Sequence, residues 1–349
     1  MENLNKLSSN SVFIVAEMSA NHGFDIDIAK NTIKAAKEAG ADAIKLQTYT
    51  PDTITIDCDN DYFKINSGTI WDGTTLYNLY KTAYTPWEWH KELFEYAKSI
   101  DLICFSSPFD KTAVDLLETC NCPSYKIASF EITDIPLIEY AASKGKPMII
   151  STGIATEEEI FDAVNACKKN NNNQITLLKC TSEYPAKIED ANLSMIPDMR
   201  KRFGVDIGVS DHSIGSLVPI VSVALGAKVI EKHFILDKNI GGPDASFSMT
   251  PHEFKDMVSS VRQAEKSFGK IDYDLNEKKL KSRRFARSLF IVKDMKKGDI
   301  LTEENVRSIR PSNGISPKYY DEVMGLKVCC DIDRGTPLTK ELIERVGIQ

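Results

Sequence analysis

Short apolar runs, each followed by polar residues, recur eight times along the first 235 residues of the chain. A segment with helical periodicity comes after nearly every run. Strands that alternate with helices in eight units predict an α/β fold of the (β/α)8 TIM-barrel type, whose active site forms where the strands end. The runs are Val12–Ala16, Ala43–Leu46, Ile103–Phe105, Tyr125–Ala128, Met148–Ile150, Ile175–Leu178, Ile207–Val209 and Val229–Ile230.

The interval from Tyr49 to Tyr84 is too long for an ordinary barrel loop. It contains Trp71 and the tyrosines at positions 62, 77, 80 and 84. Long loops in compact domains are usually functional or disordered. The aromatic residues favour an ordered lid over the predicted site.

The helical pattern ends after Phe268, and the rest of the chain has a different organisation. We predict a barrel domain over residues 1–275, a basic linker over 276–287 and a small β-rich domain over 288–349. The small domain contains an internal echo, because Asp294–Glu304 reappears as Asp331–Glu341. Each copy predicts a strand, a tight turn at a glycine and a short helix capped by threonine.

Composition excludes several classes of function. The chain has 349 residues, 42% of them hydrophobic, and a formal net charge of −7, which argues against nucleic acid as the main partner. No apolar stretch approaches the ~20 residues that span a bilayer, so no membrane partner is expected. The first residues lack the apolar core of a signal peptide. With eight cysteines expected to be reduced, these features predict a cytoplasmic protein.

His212 and His233 directly follow the seventh and eighth predicted strands. Neighbouring strands end at one rim of a barrel, so the two imidazoles should lie close together. Two neutral imidazoles with open coordination positions suit a divalent metal that also binds water or substrate. His90 and His252 fall in predicted helices and are expected at the surface.

Lys45 and Lys126 stand inside otherwise apolar strands. A lysine inside a barrel must meet an anion or suffer a large desolvation cost. Hydroxyl donors converge from the ends of five strands, and together with two lysines they predict a phosphate or carboxylate site. These donors are Ser107, Ser129, Ser151, Ser182 and Ser210; each serine alone could equally be turn chemistry at a strand end.

Glu17 and Glu131 are carboxylates near the ends of the first and fourth strands. A carboxyl group in a closed pocket can have its pKa shifted towards neutral pH, which makes Glu131 a candidate general acid or base. The alternative is that Glu131 forms a salt bridge with Lys126.

Six motifs resemble those of the sialic acid synthase family, and the resemblance covers essentially the whole chain. The last ~60 residues resemble its antifreeze-like (SAF, β-clip) domain, in agreement with the echo. The motifs Ser19–His22, Gly68–Gly73, Tyr84–His90 and Lys179–Pro185 are most similar to those of the pseudaminic acid synthases. N-acetylneuraminate synthases more often have Gly-Val-Asn-His-Asn-Gly at the first motif and Asn at position 182. The six family motifs are Ala16–His22, Ala43–Thr48, Phe105–Asp110, Tyr125–Glu131, Gly208–Ser213 and Glu231–Phe234.

The resemblance implies that phosphoenolpyruvate condenses with an open-chain N-acylated amino sugar to give a nonulosonic acid and phosphate. C3 of phosphoenolpyruvate would attack an aldehyde polarised by a divalent metal (Mn²⁺, Co²⁺ or Mg²⁺), water would add at C2, and phosphate would leave with C–O cleavage. Glu131 is our candidate to protonate the nascent alkoxide.

The resemblance also implies roles for individual residues. His212 and His233 match the metal ligands, and Glu17, Gln47 and Asp244 match positions on the sugar side or around the metal and water. Arg310 matches an arginine offered to the partner subunit's site in a domain-swapped homodimer. Phosphoenolpyruvate-binding positions are matched by Lys45, Lys126, Ser129, Ser151, Ser182 and Ser210.

Three other interpretations stay open on the sequence. The first is an N-acetylneuraminate or legionaminate synthase, which differs only in its sugar. The second is a metal-dependent class II aldolase or lyase, which would not depend on phosphoenolpyruvate. The third is a binding protein whose C-terminal domain binds ice or a partner, which leaves the lysines inside the strands and the rim histidines unexplained.

Overall fold

The computed structural model describes residues 11–66, 68 and 70–344, and it contains the predicted barrel. Eight parallel strands hydrogen-bond in chain order, and β8 pairs with β1 to close the ring. The TIM-barrel prediction is confirmed. The strands are β1 Phe13–Glu17, β2 Ala43–Thr48, β3 Ile103–Pro108, β4 Tyr125–Ile127, β5 Met148–Ser151, β6 Ile175–Cys180, β7 Asp206–Asp211 and β8 Val229–His233.

Ten α-helices lie between and after the barrel strands in the described part of the chain. Local signals place their ends: the carboxylate of Asp25 accepts from the backbone N–H groups of Asp27 and Ile28 at the start of α1, and Gly40 follows its end with a φ of 91°. The helices are α1 Ile26–Glu38, α2 Pro51–Ile54, α3 Leu76–Lys81, α4 His90–Ser99, α5 Lys111–Thr119, α6 Ile135–Ala142, α7 Glu157–Lys169, α8 Met195–Phe203, α9 Leu217–Ala224 and α10 Pro251–Ser267.

The long interval after β2 is ordered where the structure describes it. It contains α2 and α3, and the ring of Tyr49 packs edge-on against Tyr80 with 5.5 Å between centroids. Two of its residues, at positions 67 and 69, lie outside the described residues, so the predicted Gly68–Gly73 segment is described only in part.

Strands β7 and β8 approach each other closely at Gly208. A Cβ atom at this position would lie 2.5 Å from the carbonyl oxygen of Val229. Only glycine permits this contact without a shift of the backbone. The close pairing sets the register that aligns Ser210 with Glu231 at the carboxyl ends of the two strands.

The chain divides into two compact units, residues 1–269 and 270–349. The predicted basic linker is partly helical, because α11 spans Glu277–Arg283. Strands β9 (Ser288–Ile291) and β10 (Val306–Ile309) form an antiparallel pair. A separate apolar core underlies them, formed by Leu289, Ile291, Met295, Leu301, Val306, Val323, Val328, Ile332, Leu338 and Ile343, with α12 at Tyr320–Val323.

The sequence echo corresponds to a reciprocal pair of hydrogen bonds. Asp294 accepts from the backbone N–H of Arg334 at 2.7 Å, and Asp331 accepts from that of Lys297 at 2.9 Å. Gly298 and Gly335 both turn with φ near 90°. The first predicted helix is wrong, because a turn follows Thr302, whereas the second copy has a short 3-10 helix, Lys340–Leu342, with Thr339 at its N-cap.

The surface position predicted for His90 is also wrong. The ring is fully buried, its Nε2 lies 2.8 Å from the hydroxyl of Thr48, and burial lowers its pKa to about 4. His252 is exposed as predicted. Among the residues that the structure describes, no helix has the length and apolarity needed to cross a bilayer.

Candidate active site

Four charged side chains meet inside the barrel near the carboxyl ends of the strands. The ammonium of Lys45 lies 2.9 Å from Glu17 Oε1 and 2.9 Å from Glu231 Oε1. Lys126 lies 2.6 Å from the same oxygen of Glu231, and the hydroxyl of Ser210 donates to it at 2.9 Å. The two lysines are therefore neutralised by carboxylates of the protein itself.

This arrangement fixes the protonation of the cluster. Burial raises the pKa of Glu17, but the charges of His233, Lys45 and Lys126 outweigh this effect and lower the pKa below its usual range. The pKa of Glu231 is also lowered, because Lys126 and Lys45 outweigh burial. Burial and the charge of Lys45 lower the pKa of Lys126. The carboxylates are ionised at neutral pH, so the cluster is an internal ion-pair network.

Hydroxyl groups line the barrel next to this cluster. Ser182 donates to Ser129 at 2.9 Å, and Ser129 accepts from the backbone N–H of Ile154. The hydroxyls of Ser107 and Ser151 are buried and have no hydrogen-bond partner among the described residues. Buried polar groups are rarely left unpaired without a reason. Donors without partners, beside two ammonium groups, are the arrangement expected of an anion site.

Gly153 allows the backbone to approach these hydroxyls. A Cβ atom there would lie 2.3 Å from Ser182 Oγ and 2.7 Å from Ser129 Oγ. Any larger residue would push both serines aside. The sequence analysis did not single out this glycine.

The two predicted metal-binding imidazoles are neighbours, with 5.3 Å between ring centroids. His212 Nδ1 donates to the carbonyl oxygen of Thr181 at 2.8 Å, which leaves the lone pair on Nε2. Burial, and then His233, lower the pKa of His212 to about 3, so the ring is neutral. His233 Nδ1 is buried and has no hydrogen-bond partner among the described residues. His212 Nε2 and His233 Nδ1 are available nitrogens, and two imidazoles with available nitrogens fit a divalent metal.

No group of three or more His, Cys, Asp or Glu side chains within the described residues is arranged to hold a metal ion. The fit therefore rests on two imidazoles. Further coordination positions would belong to water or substrate.

Aromatic rings form a wall beside the imidazoles. Tyr184 packs 4.4 Å from His212 and 5.4 Å from Trp71, measured between ring centroids. The indole N–H of Trp71 donates to the carbonyl oxygen of Pro243 at 3.2 Å, which joins the long loop to the segment that carries Asp244. Phe247 packs 5.0 Å from His233. An apolar wall at this place can contact methyl and acetamido groups.

Glu131 differs from the other carboxylates because it has no ion-pair partner among the described residues. Burial raises its pKa to about 7, and the charge of Lys126 offsets this effect only in part. Its Oε2 is buried without a hydrogen-bond partner. The alternative that Glu131 forms a salt bridge with Lys126 is wrong, because Lys126 pairs with Glu231. A carboxyl group with a pKa near 7 can exchange protons at physiological pH.

Comparison with known proteins gives the same assignment for both parts of the chain. The NeuB family matches residues 32–273 and the SAF domain matches residues 286–344. The chain belongs to the NeuB family. This result confirms the resemblance to the sialic acid synthases, and the SAF match confirms the antifreeze-like domain.

Individual relatives extend the match over nearly the full length. A pseudaminic acid synthase of Helicobacter pylori is 52% identical over 333 residues, which cover 95% of this chain and 98% of the relative. An N,N'-diacetyllegionaminic acid synthase of Legionella pneumophila is 37% identical, with 97% and 96% covered. A crystal structure of the spore coat polysaccharide biosynthesis protein SpsE of Bacillus subtilis superposes with a TM-score of 0.65 at 33% identity, and covers 97% of this chain and 96% of its own.

The barrel brings together every site residue that the sequence predicted in this NeuB chain except Arg310. Gln47 donates to Glu17 at 3.0 Å, and Asp244 Oδ2 lies 3.8 Å from His233 Nδ1. Arg310 belongs to the other compact unit, where it follows β10, is exposed and has no ion-pair partner among the described residues. Ser288 holds the loop that follows Arg310. Its hydroxyl donates to the carbonyl oxygen of Pro311 at 2.7 Å and accepts from the backbone N–H of Gly314 at 2.9 Å.

The sequence analysis missed Glu231, which is the most connected carboxylate of the site. The sequence contained a signal that could have identified Glu231 as a site residue. Residues two apart on a strand share a face, so Glu231 points the same way as His233. Asp211 and Lys232, which alternate with the site residues, form a buried ion pair at 2.5 Å on the opposite face of β7 and β8.

Proposed function

We propose that the chain is a pseudaminic acid synthase. It would condense phosphoenolpyruvate with the open-chain aldehyde of 2,4-diacetamido-2,4,6-trideoxy-β-L-altropyranose, and release pseudaminic acid and phosphate as a transferase of the EC 2.5.1 type. The observation that carries the proposal is the buried set of two lysines and unpartnered hydroxyls in the barrel of a NeuB chain. The sugar follows from 52% identity to the pseudaminic acid synthase against 37% to the legionaminic acid synthase.

The barrel residues supply binding and proton transfer. Lys45, Lys126 and the hydroxyl groups would hold the phosphate and carboxylate of phosphoenolpyruvate. A new C–C bond forms between C3 and the aldehyde carbon, and Glu131 protonates the alkoxide. Water then adds at C2, and cleavage of the C2–O bond releases phosphate. Holding both reactants in one orientation can itself supply several kcal/mol.

His212 and His233 would hold a divalent metal, Mn²⁺, Co²⁺ or Mg²⁺. When bound, such an ion acts as a Lewis acid towards the sugar aldehyde. Glu17 and Gln47 would orient the sugar and water from β1 and β2. Asp244 would bind the sugar from the segment after β8.

A domain-swapped homodimer completes the proposal. Phe130, Ile154, Ile188 and Ile214 follow four successive strands, and each exposes about half of its side chain. Exposed apolar groups at an active-site rim favour coverage by another surface. Arg310 of the partner subunit would then approach the sugar. We place the reaction in the cytoplasm, because all eight cysteines are free thiols.

A phosphate-release assay with phosphoenolpyruvate and a panel of N-acylated hexosamines tests the function. The expected result is release that depends on both substrates and is fastest with the diacetamido-trideoxy sugar. Phosphate release only with N-acetylmannosamine, or only with the legionaminic acid precursor, would identify the chain as an N-acetylneuraminate or a legionaminate synthase instead. Cleavage or condensation without phosphoenolpyruvate would select the class II aldolase.

A further inference from the structure

Ser19 lies in a tight turn directly after β1 and has an unusual backbone conformation. The N–H of Asn21 donates to the carbonyl oxygen of Met18 at 3.0 Å, which makes Ser19 the first central residue of the turn. Its φ is 47°, a left-handed value. Glycine, asparagine and aspartate dominate this position in turns with positive φ, because a side chain such as serine's is strained there.

The hydroxyl of Ser19 has one clear partner. It donates to Asp244 Oδ2 at 2.5 Å, and both residues are buried. No other described residue donates a hydrogen bond to the carboxylate of Asp244, and Oδ2 lies 3.8 Å from His233 Nδ1. The strained residue is therefore the hydrogen-bond anchor of a carboxylate at the mouth of the barrel.

The segment around Asp244 is tied to the same turn a second time. Asn21 donates through its side-chain amide to Ser248 Oγ at 2.8 Å, and Ser248 donates to the carbonyl oxygen of Asp244 at 2.7 Å. This second link holds the backbone. Only the Ser19 hydroxyl orients the carboxylate itself.

We propose that Ser19 is a positioning residue that fixes the Asp244 carboxylate for a sugar hydroxyl, at the expense of backbone strain. This inference rests on the proposed function, in which Asp244 binds the sugar. Strain that persists at a functional site is maintained by the contact it permits. With Oδ2 engaged by Ser19, Oδ1 is the oxygen left to accept from the substrate.

The test compares Ser19→Gly and Ser19→Ala with Asp244→Asn and the double variant Ser19→Gly/Asp244→Asn. Both single Ser19 variants should raise the KM of the sugar about tenfold and leave that of phosphoenolpyruvate within about twofold, since a hydrogen bond to a charged group is lost. Ser19→Gly should keep or raise Tm, because glycine adopts positive φ freely. In the Asp244→Asn background, Ser19→Gly should have no further effect.

Asn171→Gly is the matched control, because Asn171 also has a positive φ, 57°, in an exposed loop. It should leave both KM values unchanged. A wild-type sugar KM in Ser19→Gly, or an undiminished effect of Ser19→Gly in the Asp244→Asn background, overturns the inference.

Crystal structures of the variants give a readout that does not need turnover. In both Ser19 variants the Asp244 carboxylate should leave its wild-type rotamer while the backbone of residues 244–248 stays in place, and in Asn171→Gly neither should change. An Asp244 carboxylate that keeps its wild-type rotamer in both Ser19 variants would overturn the inference even if wild-type turnover is absent. A wild-type protein that releases no phosphate overturns the proposed function instead, so the two failures are distinguishable.

Discussion

Lys126 directs its ammonium group at Glu231, 2.6 Å from Oε1, and not at Glu131. Glu231 also accepts from Lys45 and Ser210 through the same oxygen, so one carboxylate is a counter-charge shared by both lysines. Glu131 is left half-buried, with its Oε2 inaccessible and without an ion-pair partner among the described residues. The pairing therefore separates the carboxylates into ionised ones and one that can carry a proton at neutral pH.

We expect Glu131→Gln to lower kcat by about 10²- to 10⁴-fold, the usual contribution of a general acid. The pKa of Glu131 is raised to about 7 by burial, and the acid form is the active one, so wild-type kcat should fall as pH rises through about 7. The variant should lose this limb of the kcat–pH profile. Glu158→Gln, at an exposed position, should keep it; an unchanged limb in Glu131→Gln would contradict the assignment.

The raised pKa of Glu131 also predicts how the free energy of unfolding depends on pH. The folded protein binds a proton at Glu131 more tightly than the unfolded chain does, so this stabilisation is complete below about pH 4.5 and is lost as pH rises through about 7. The loss is about 3 kcal/mol at this site. Urea unfolding at pH 5 and pH 8 should therefore show a smaller decrease in the free energy of unfolding for Glu131→Gln than for the wild type.

Glu231→Gln should destabilise the protein by about 3–5 kcal/mol, because two buried lysines lose their shared counter-charge. Phosphoenolpyruvate carries the negative charge that is then missing. Its addition should raise the Tm of the variant more than that of the wild type, in thermal melts at equal ligand concentration. Glu304→Gln, which breaks an exposed ion pair with Lys293, is the control. Equal ligand-induced shifts would mean that the lysines do not face the phosphate or carboxylate.

His212→Ala and His233→Ala should each abolish turnover and leave the fold largely intact, since both rings lie at the rim and not in the apolar core. EDTA should abolish turnover by the wild-type enzyme, and addition of Mn²⁺, Co²⁺ or Mg²⁺ should restore this turnover. Binding of Co²⁺, followed by absorbance, should be lost in both variants and kept in His252→Ala, whose ring is exposed. Full activity of exhaustively chelated enzyme would refute the metal assignment.

The diacetamido-trideoxy sugar should outperform N-acetylmannosamine by a large margin, because its extra methyl and acetamido groups can contact the wall formed by Trp71, Tyr184 and Phe247. Trp71→Ala should reduce this preference in kcat/KM by about tenfold, a loss typical of one apolar contact. Tyr62→Ala changes an aromatic residue of the same loop that is 91% exposed, and should leave the preference intact. A preference of the wild type for N-acetylmannosamine would overturn the sugar assignment and keep the reaction class.

Arg310→Ala should mainly raise the KM of the sugar, with the KM of phosphoenolpyruvate less affected. A chain truncated near residue 285 should be inactive. Mixed with inactive His212→Ala at a sugar concentration far below its raised KM, where Arg310→Ala alone turns over little, the Arg310→Ala protein should regain activity in heterodimers, because one of the two sites receives an intact barrel and an intact arginine. Arg307→Ala, an exposed arginine on β10, should behave as the wild type. Failure to recover activity after verified subunit exchange would contradict a shared site.

The sequence by itself determined the barrel, because strands buried on both sides read as apolar runs and their spacing leaves room for one helix each. It also determined which chemical groups end the strands, since the carboxyl ends of a barrel must converge. The internal echo of the C-terminal domain was also visible in the sequence. In the structure its two copies are equivalent, because Asp294 and Asp331 each accept a hydrogen bond from a backbone N–H of the other copy.

Only the tertiary structure decided which charges pair. The sequence analysis considered only Glu131 as a partner of Lys126, and the actual pairing with Glu231 depends on strand register and the width of the barrel, which no local pattern encodes. Burial was likewise a tertiary result for His90, whose helix has an inner face that packing selects. The strain at Ser19 became visible for the same reason: its partner, Asp244, is 225 positions away in the chain, and a contact of that span exists only after the barrel has closed.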